Sequence, residues 1–395
     1  MLNSVLVLLV LLPVAAGSGW LARARAERRR QDAEQRSASP VHADYLRGIS
    51  YLVNEDADRA IETFIRVLEV DNETAETHLA LGNLFRRQGD IDRALRLHQN
   101  LVARPNLSAG HRNQARYELA RDYLRAGVLD RAESLFVELV DNESFAERSL
   151  NGLITIHEQV RDWEQAIVAT QHLERERGSS LRPIIAQYYC ELAEQAIEAE
   201  DSERARRMLK SARHAYRGCA RISLVGGRLA ESHRDFRTAI RAYHEVLVED
   251  PAFATEILEP MHRCFAASDD DSGYVRFLQE FMAQIEGAAG HVAYARHLRS
   301  TGRIDEAIAH LSRYLQHEAS WIGFYHLLEL ASADPRSNLT GPLDNLRQSL
   351  ARIIEREPLY QCGHCGFSGR YLHWQCPSCR QWNTMVPRRD IKPGD

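Results

Sequence analysis

The residues best suited to chemistry sit near the end of the chain, in the stretch "YQCGHCGFSGRYLHWQCPSC" that begins at Tyr360. Its four cysteines form two Cys-x-x-Cys pairs, Cys362 with Cys365 and Cys376 with Cys379, and ten residues separate the pairs. Two residues between ligands let each pair wrap one side of a tetrahedral ion in a tight knuckle. The intervening segment folds back as a short hairpin and brings the second knuckle opposite. Gly366 permits the positive φ that a knuckle needs, and Pro377 stiffens the other one. Four thiolates leave no open coordination position, which disfavours a hydrolytic metal centre. Tetrahedral sulfur suits Zn(II) and a single Fe alike. Three uses compete: a structural clamp, an electron-transfer centre of rubredoxin type and a nucleic-acid-binding ribbon. The clamp is favoured, because so small a module cannot build a core without metal. His364 and His373 could substitute as ligands, but the cysteine set is complete without them. Tyr371, His373, Trp374 and Trp382 are too many aromatics for a free ribbon, so several of them are expected to dock it onto the last repeat helices.

The chain that positions this module has 395 residues, 44% hydrophobic and 27% charged, an ordinary globular composition. A formal net charge of −5 offers no global reason to bind nucleic acid. Of the seven cysteines, Cys190, Cys219 and Cys264 stand singly in helical-looking segments, as small buried apolar residues do. An odd count with clustered Cys-x-x-Cys pairs points to a reducing compartment and not to a disulfide scaffold.

From His42 to about Glu357 the chain repeats itself. A small residue is followed twelve positions later by alanine in Gly48 and Ala60, Gly82 and Ala94, Ala120 and Ala132, Ala193 and Ala205, Gly227 and Ala239, and Ala295 and Ala307. Gly48 and Gly82 lie 34 residues apart, the tetratricopeptide period. Small residues on both helices of an antiparallel pair let the backbones approach. Four positions after each alanine comes Phe64, His98, Phe136, Leu209, Tyr243 or Leu311, expected to fill the groove of the neighbouring repeat. Asp58, Asp92, Asp130, Glu203 and Asp305 place an acid in the first turn of the second helix. Ile154 replaces the small residue in one repeat, and the segment around Cys264 lacks the alanine, so eight or nine units are expected, with degenerate ones among them. Such stacks present a concave surface to peptides or proteins. The repeat region contains no phosphate-binding G-x-x-x-x-G-K-[ST] loop, H-E-x-x-H helix or G-x-S-x-G elbow. Histidines such as His98 and His244 read as core or surface residues.

Residues Leu2 to Trp20 carry no charge and, as a helix, would span roughly 28 Å, close to the ~30 Å of a bilayer core. A cleaved signal peptide is the competitor, given the small residues Ala15 to Ser18. No Lys or Arg precedes the apolar run, whereas Arg23, Arg25, Arg28, Arg29 and Arg30 follow it, which favours an anchor with the remaining chain in the cytoplasm. The expected organisation is all-α: a transmembrane anchor over 1–20, a basic juxtamembrane segment and linker over 21–40, a tetratricopeptide solenoid over 41–357, a metal domain over 358–386 and a tail over 387–395.

The stretches "LLPVAAGSGW", "HLALGNLFRRQGDIDRALRLHQ" from His78, "YYCELA" from Tyr188 and "CPSCRQWNT" from Cys376, in that order, resemble the lipopolysaccharide assembly protein B family of Gram-negative bacteria. The resemblance implies a single-pass inner-membrane protein facing the cytoplasm, with a rubredoxin-like domain packed on the repeats. It implies one metal ion, iron in the family, on Cys362, Cys365, Cys376 and Cys379. It further implies a non-enzymatic adaptor that promotes turnover of the lipid A deacetylase by the membrane-bound FtsH protease and gathers lipopolysaccharide-synthesis or transport proteins. A rubredoxin-like electron carrier on a repeat scaffold is the rival class.

Overall fold

The computed structural model describes residues 72–333 and 340–388, together with isolated positions before residue 72. The expected anchor (1–20), the linker (21–40), most of the first repeat and the tail from residue 389 lie outside the described residues. Among the described residues no helix is long and apolar enough to cross a membrane. The chain divides into two compact units, Met1–Ile156 and His157–Asp395.

In the first unit α1 (Asn72–Gln88) and α2 (Ile91–Val102) form one helix pair, and α3 (Ala109–Ala126) and α4 (Leu129–Leu139) the next. Helix α5 (Ala146–Val160) ends this unit and carries its last turn into the second. There α6 (Trp163–Arg177) is followed by the pairs α7 (Arg182–Glu198) with α8 (Ser202–Ala215) and α9 (Ala220–Ser232) with α10 (Phe236–Glu249). A 3-10 segment (Pro251–Ile257) leads into α11 (Leu258–Ala267) and α12 (Asp271–Gln284). The last pairs are α13 (Ala288–Ser300) with α14 (Ile304–His317) and α15 (Trp321–Ala333) with α16 (Thr340–Arg356).

The turn inside the pairs has a recurring chemistry. Arg161, Glu200, Arg234 and Asp269 take a positive φ, as do Gly89, Gly127 and Gly302. The next residue in five of these turns, Asp90, Asp162, Asp201, Asp235 or Asp270, caps the second helix by accepting from the backbone N–H three positions on. In four of them the alanine of the repeat follows the cap by four residues: Ala94, Ala166, Ala205 and Ala239, each completely buried. In the segment around Cys264, where no alanine was found, Tyr274 stands at that place and joins Phe265, Phe277 and Phe281 in an aromatic core.

The small residues do make room, and at Gly82 and Gly227 the ring four positions after the alanine fills the space within its own pair. A Cβ on Gly82 would lie 2.4 Å from the His98 ring, and one on Gly227 2.4 Å from the Tyr243 ring. Phe136 reaches forward onto Gly152 of α5, Leu209 packs on Ile222 and Leu229 of α9, and His98 also bonds Asp122 of α3. The expected filling of the neighbouring groove is therefore found at Phe136 and Leu209 and shared at His98, whereas Tyr243 fills the hole that Gly227 leaves in its own pair.

After α16 the chain forms a three-stranded antiparallel sheet in the order β2-β1-β3, with β1 (Tyr360–Cys362) between β2 (Ser368–Gly369) and β3 (Met385–Pro387). Tyr360 pairs with both Gly369 and Pro387, and Cys362 with Met385.

Candidate metal centre and its docking surface

The two Cys-x-x-Cys segments fold into matching knuckles. In the first, the Cys362 N–H donates to the Phe367 carbonyl at 2.7 Å and the Gly366 N–H to the Cys362 carbonyl at 3.0 Å. In the second, Cys376 and Arg380 repeat the pattern, with bonds of 2.9 Å to the Gln381 carbonyl and 2.8 Å to the Cys376 carbonyl. Gly366 has φ +78°, as its position after Cys365 led us to expect, and Arg380 occupies the equivalent left-handed position with φ +58°.

These knuckles bring the sulfurs of Cys362, Cys365, Cys376 and Cys379 within 4.8 Å of one another. Cys362 and Cys379 are 3.8 Å apart, and Cys365 and Cys376 3.7 Å. A tetrahedron with metal–sulfur bonds of about 2.3 Å has edges of about 3.8 Å, so the arrangement fits one tetrahedral ion. The Thr384 hydroxyl, 3.3 Å from Cys362, leads the effects that hold that thiol down to about 6. At Cys379 the pull of the Gln381 backbone is outweighed by burial and the neighbouring thiols, which push it up to about 12. Four thiolates this close repel one another, and a divalent ion at their centre removes the penalty. Cys362, Cys376 and Met385 form the small core of the module, with Tyr360, Phe367 and Leu372 against it. Among the described residues no histidine joins the four sulfurs.

The ribbon lies against the repeat helices through three anchors. Trp382 packs edge-on against Tyr188 and Trp163, with ring centroids 5.5 and 6.0 Å apart, and its Nε1 donates to Glu158 at 2.7 Å. Gln375 and the Tyr188 hydroxyl donate to the same carboxylate at 3.0 and 2.7 Å. Burial and the Glu158 charge push the Tyr188 phenol up, which keeps it a donor. Trp374 sits 5.0 Å from Phe253 and under the guanidinium of Arg221, 5.5 Å from its centroid. Arg221 is almost fully buried and is neutralised by Glu191 and Glu194, with a bond to Gln187 at 3.2 Å. Tyr360 donates to Glu256 at 2.9 Å, and burial pushes that carboxyl up.

Of the four aromatics named from sequence, then, Trp374 and Trp382 dock the ribbon, whereas Tyr371 and His373 are exposed. The docking surface is also different from the expected one. It runs over the end of α5, α6, α7, α9 and the 3-10 segment, in the middle of the repeats and not on the last helices. The physical reason is complementarity: the indole N–H of Trp382 and the face of Trp374 need an acceptor and a cation, and Glu158 and Arg221 supply them. Sequence reading missed Glu158, Trp163, Arg221 and Glu256, because nothing local marks a partner that lies a hundred or more positions away. His98 is buried, as a core residue, with Nδ1 2.5 Å from Asp122. Cys190, Cys219 and Cys264 are free and buried.

Helix pairs of tetratricopeptide period carrying a docked four-cysteine ribbon define the class: a repeat scaffold with a rubredoxin-type metal domain. Residues 360–387 match the family described as rubredoxin metal binding domain, and residues 45–106 match the tetratricopeptide repeat family. The chain belongs to the lipopolysaccharide assembly protein B family. A relative of that name from Escherichia coli is 33% identical over 97% of this chain and 98% of its own length. One from Haemophilus influenzae is 31% identical over 96% of this chain and 97% of its own. Among solved structures, a tetratricopeptide repeat protein from Parabacteroides merdae is similar with a TM-score of 0.32 and 12% identity, over 70% of this chain and 99% of that one.

Proposed function

We propose that the protein is a non-enzymatic adaptor in lipopolysaccharide assembly, tethered to the inner membrane by residues 1–20 with its bulk in the cytoplasm. In this reading Cys362, Cys365, Cys376 and Cys379 hold one Fe or Zn ion, and the repeats present partners to one another. The partners are the FtsH protease and the committed lipid A deacetylase, whose degradation the adaptor promotes, and further lipopolysaccharide-synthesis or transport proteins. The observation that carries the reading is the closed sulfur tetrahedron fastened to the repeats by Glu158 and Arg221. A metal so placed fixes a surface, and the tether raises the effective concentration of everything bound to that surface. The test is to deplete the protein and follow the deacetylase half-life with and without active FtsH. The half-life should lengthen only where FtsH is active, and no change would reject the degradation role. The electron-carrier reading is separated by loading the site with redox-inert Zn(II): the adaptor keeps its partner binding and its effect on half-life, and a carrier loses its function.

A further inference from the structure

A second site lies on the face of α7 turned away from the ribbon. Arg182, Ile185 and Tyr189 share one side of that helix by their i, i+3, i+7 spacing, whereas Glu191 projects from the opposite side toward Arg221. With the end of α6 and the last turns of α8 they line an open cavity of about 770 Å³. Arg175, Arg182 and Lys210 bring three full positive charges to it, one from each helix, and His214 adds an imidazole. The single carboxylate in the lining, Glu174, accepts the backbone N–H of Leu181 at 3.0 Å.

The residues that carry these charges are exposed, and two of them are left without a partner among the described residues. On α8 three of the four arginines are paired: Arg204 with Glu164 at 3.0 Å, Arg213 with Glu245 at 2.8 Å, and Arg206 with Glu203. Arg182 and Lys210 make no ion pair or hydrogen bond with the described residues, and neither does the Tyr189 hydroxyl. Lys210 is one of two lysines in the whole chain, in which 50 residues are Lys or Arg, so it stands where an arginine would be the default. Beneath the charges, buried Ile185 and the half-buried Tyr189 ring give an apolar floor.

We propose that this groove binds a phosphate or diphosphate group carried on an apolar or aromatic moiety. Charges converging from three helices on one compact space match a group that concentrates two or more negative charges. An extended acidic peptide spreads its carboxylates at about 3.3 Å per residue and can offer the groove few of them at once. The volume is that of a small-ligand site, and the floor accepts the organic part. The site is independent of the metal and of the adaptor role.

The test uses the full chain in neutral detergent and isothermal titration calorimetry with three soluble probes: inorganic pyrophosphate, phenyl phosphate and monomeric dihexanoyl phosphatidic acid. One equivalent of at least one probe should bind saturably and more weakly as salt is raised. Arg182→Gln and Lys210→Gln should each weaken it about tenfold or more, with unchanged Tm, while Arg206→Gln on the same helix leaves it alone. Tighter binding of phenyl phosphate points to a soluble phosphate ester as the source, and tighter binding of the phosphatidic acid to a lipid headgroup. The proposal is overturned if no probe saturates, if Arg206→Gln weakens binding as much as Lys210→Gln, or if hexaglutamate displaces the probes at lower concentration than they themselves require.

Discussion

Trp382→Phe isolates the polar part of the strongest anchor between ribbon and repeats. Phenylalanine keeps a ring beside Trp163 and Tyr188 and removes the 2.7 Å bond from Nε1 to Glu158. A hydrogen bond to a charged acceptor contributes about 1.5–3 kcal/mol, and Glu158 keeps Tyr188 and Gln375 as donors. Because that carboxylate is only half-buried, the lower part of the range applies, about 1.5–2 kcal/mol. Trp382→Ala also forfeits the ring and should cost about 3–5 kcal/mol. Since 1.4 kcal/mol is a factor of ten, local opening of the ribbon should become roughly 10–30 times more frequent in Trp382→Phe. Hydrogen exchange of the metal-loaded protein reads this at the amides of Cys362, Cys376 and Asn383, which are bonded within the ribbon, with metal content measured in parallel. Combining Trp382→Phe with Glu158→Ala should give an effect smaller than the sum of the two. Unchanged protection in Trp382→Phe, or strict additivity with Glu158→Ala, would refute the anchor.

Adjacent glycines on α9 should behave oppositely. A methyl on Gly227 meets the Tyr243 ring at 2.4 Å, and that ring is buried with its hydroxyl tied to Glu231 at 2.9 Å, so Gly227→Ala should cost about 1–3 kcal/mol. A methyl on Gly226 meets only a Leu209 carbon at 3.9 Å, so Gly226→Ala should be neutral or stabilise by up to about 1 kcal/mol, and thermal unfolding that fails to rank the two this way counts against the packing argument. His310 is pushed down to about 4 by burial first and by His291 second. The unfolded chain takes up that proton near 6.5, before the folded one does, so stability is full above 6.5 and is lost as pH falls toward 4. Thermal midpoints between pH 7.5 and 4.5 should show this loss and show less of it in His310→Gln, and identical slopes would sink the assignment. Chelation that empties the sulfur site should expose residues 360–387 to exchange while the helical circular dichroism persists, and Zn(II) or Fe(II) should restore protection; a ribbon still protected after verified metal removal would show that it folds without an ion.

The parts of this fold legible in sequence are those fixed by short-range chemistry. Two residues between Cys362 and Cys365, and a glycine after them, allow few geometries, and the knuckle with Gly366 at positive φ is the one found. The twelve-residue offset was equally readable, because helix crossing demands small side chains at the contact. The capping aspartates stand four positions before Ala94, Ala166, Ala205 and Ala239, and in three of these turns a second acid two positions later, Asp92, Glu164 or Glu203, competes with them as the local signal. What a local pattern does not encode is destination. Trp382 and Glu158 are separated by 224 positions, and nothing beside either residue names the other. The same holds for Arg221, whose burial becomes reasonable only with Glu191, Glu194 and the Trp374 ring around it.

Placement of the ribbon on the middle helices changes what the metal does. Had it closed the end of the stack, losing the ion would fray a terminus and leave the binding face of the repeats untouched. Instead β1 and β3 form one wall of a cavity of about 510 Å³ whose opposite wall is built from α11, α13 and α15, with Leu359, Tyr360 and Pro387 facing Leu258, Val292 and Ile322. Remove the ion, and the three short strands lose the crosslink that holds them. The Tyr360 bond to Glu256 goes with them, and the cavity loses a wall. Cys362→Ser therefore acts at a distance from the sulfur site: it alters the surface offered by Leu258, Val292 and Ile322 although none of them touches the ion. Under the proposed adaptor role, a metal in this position would act on recognition through geometry, and any ion that holds the four sulfurs at tetrahedral spacing would serve equally.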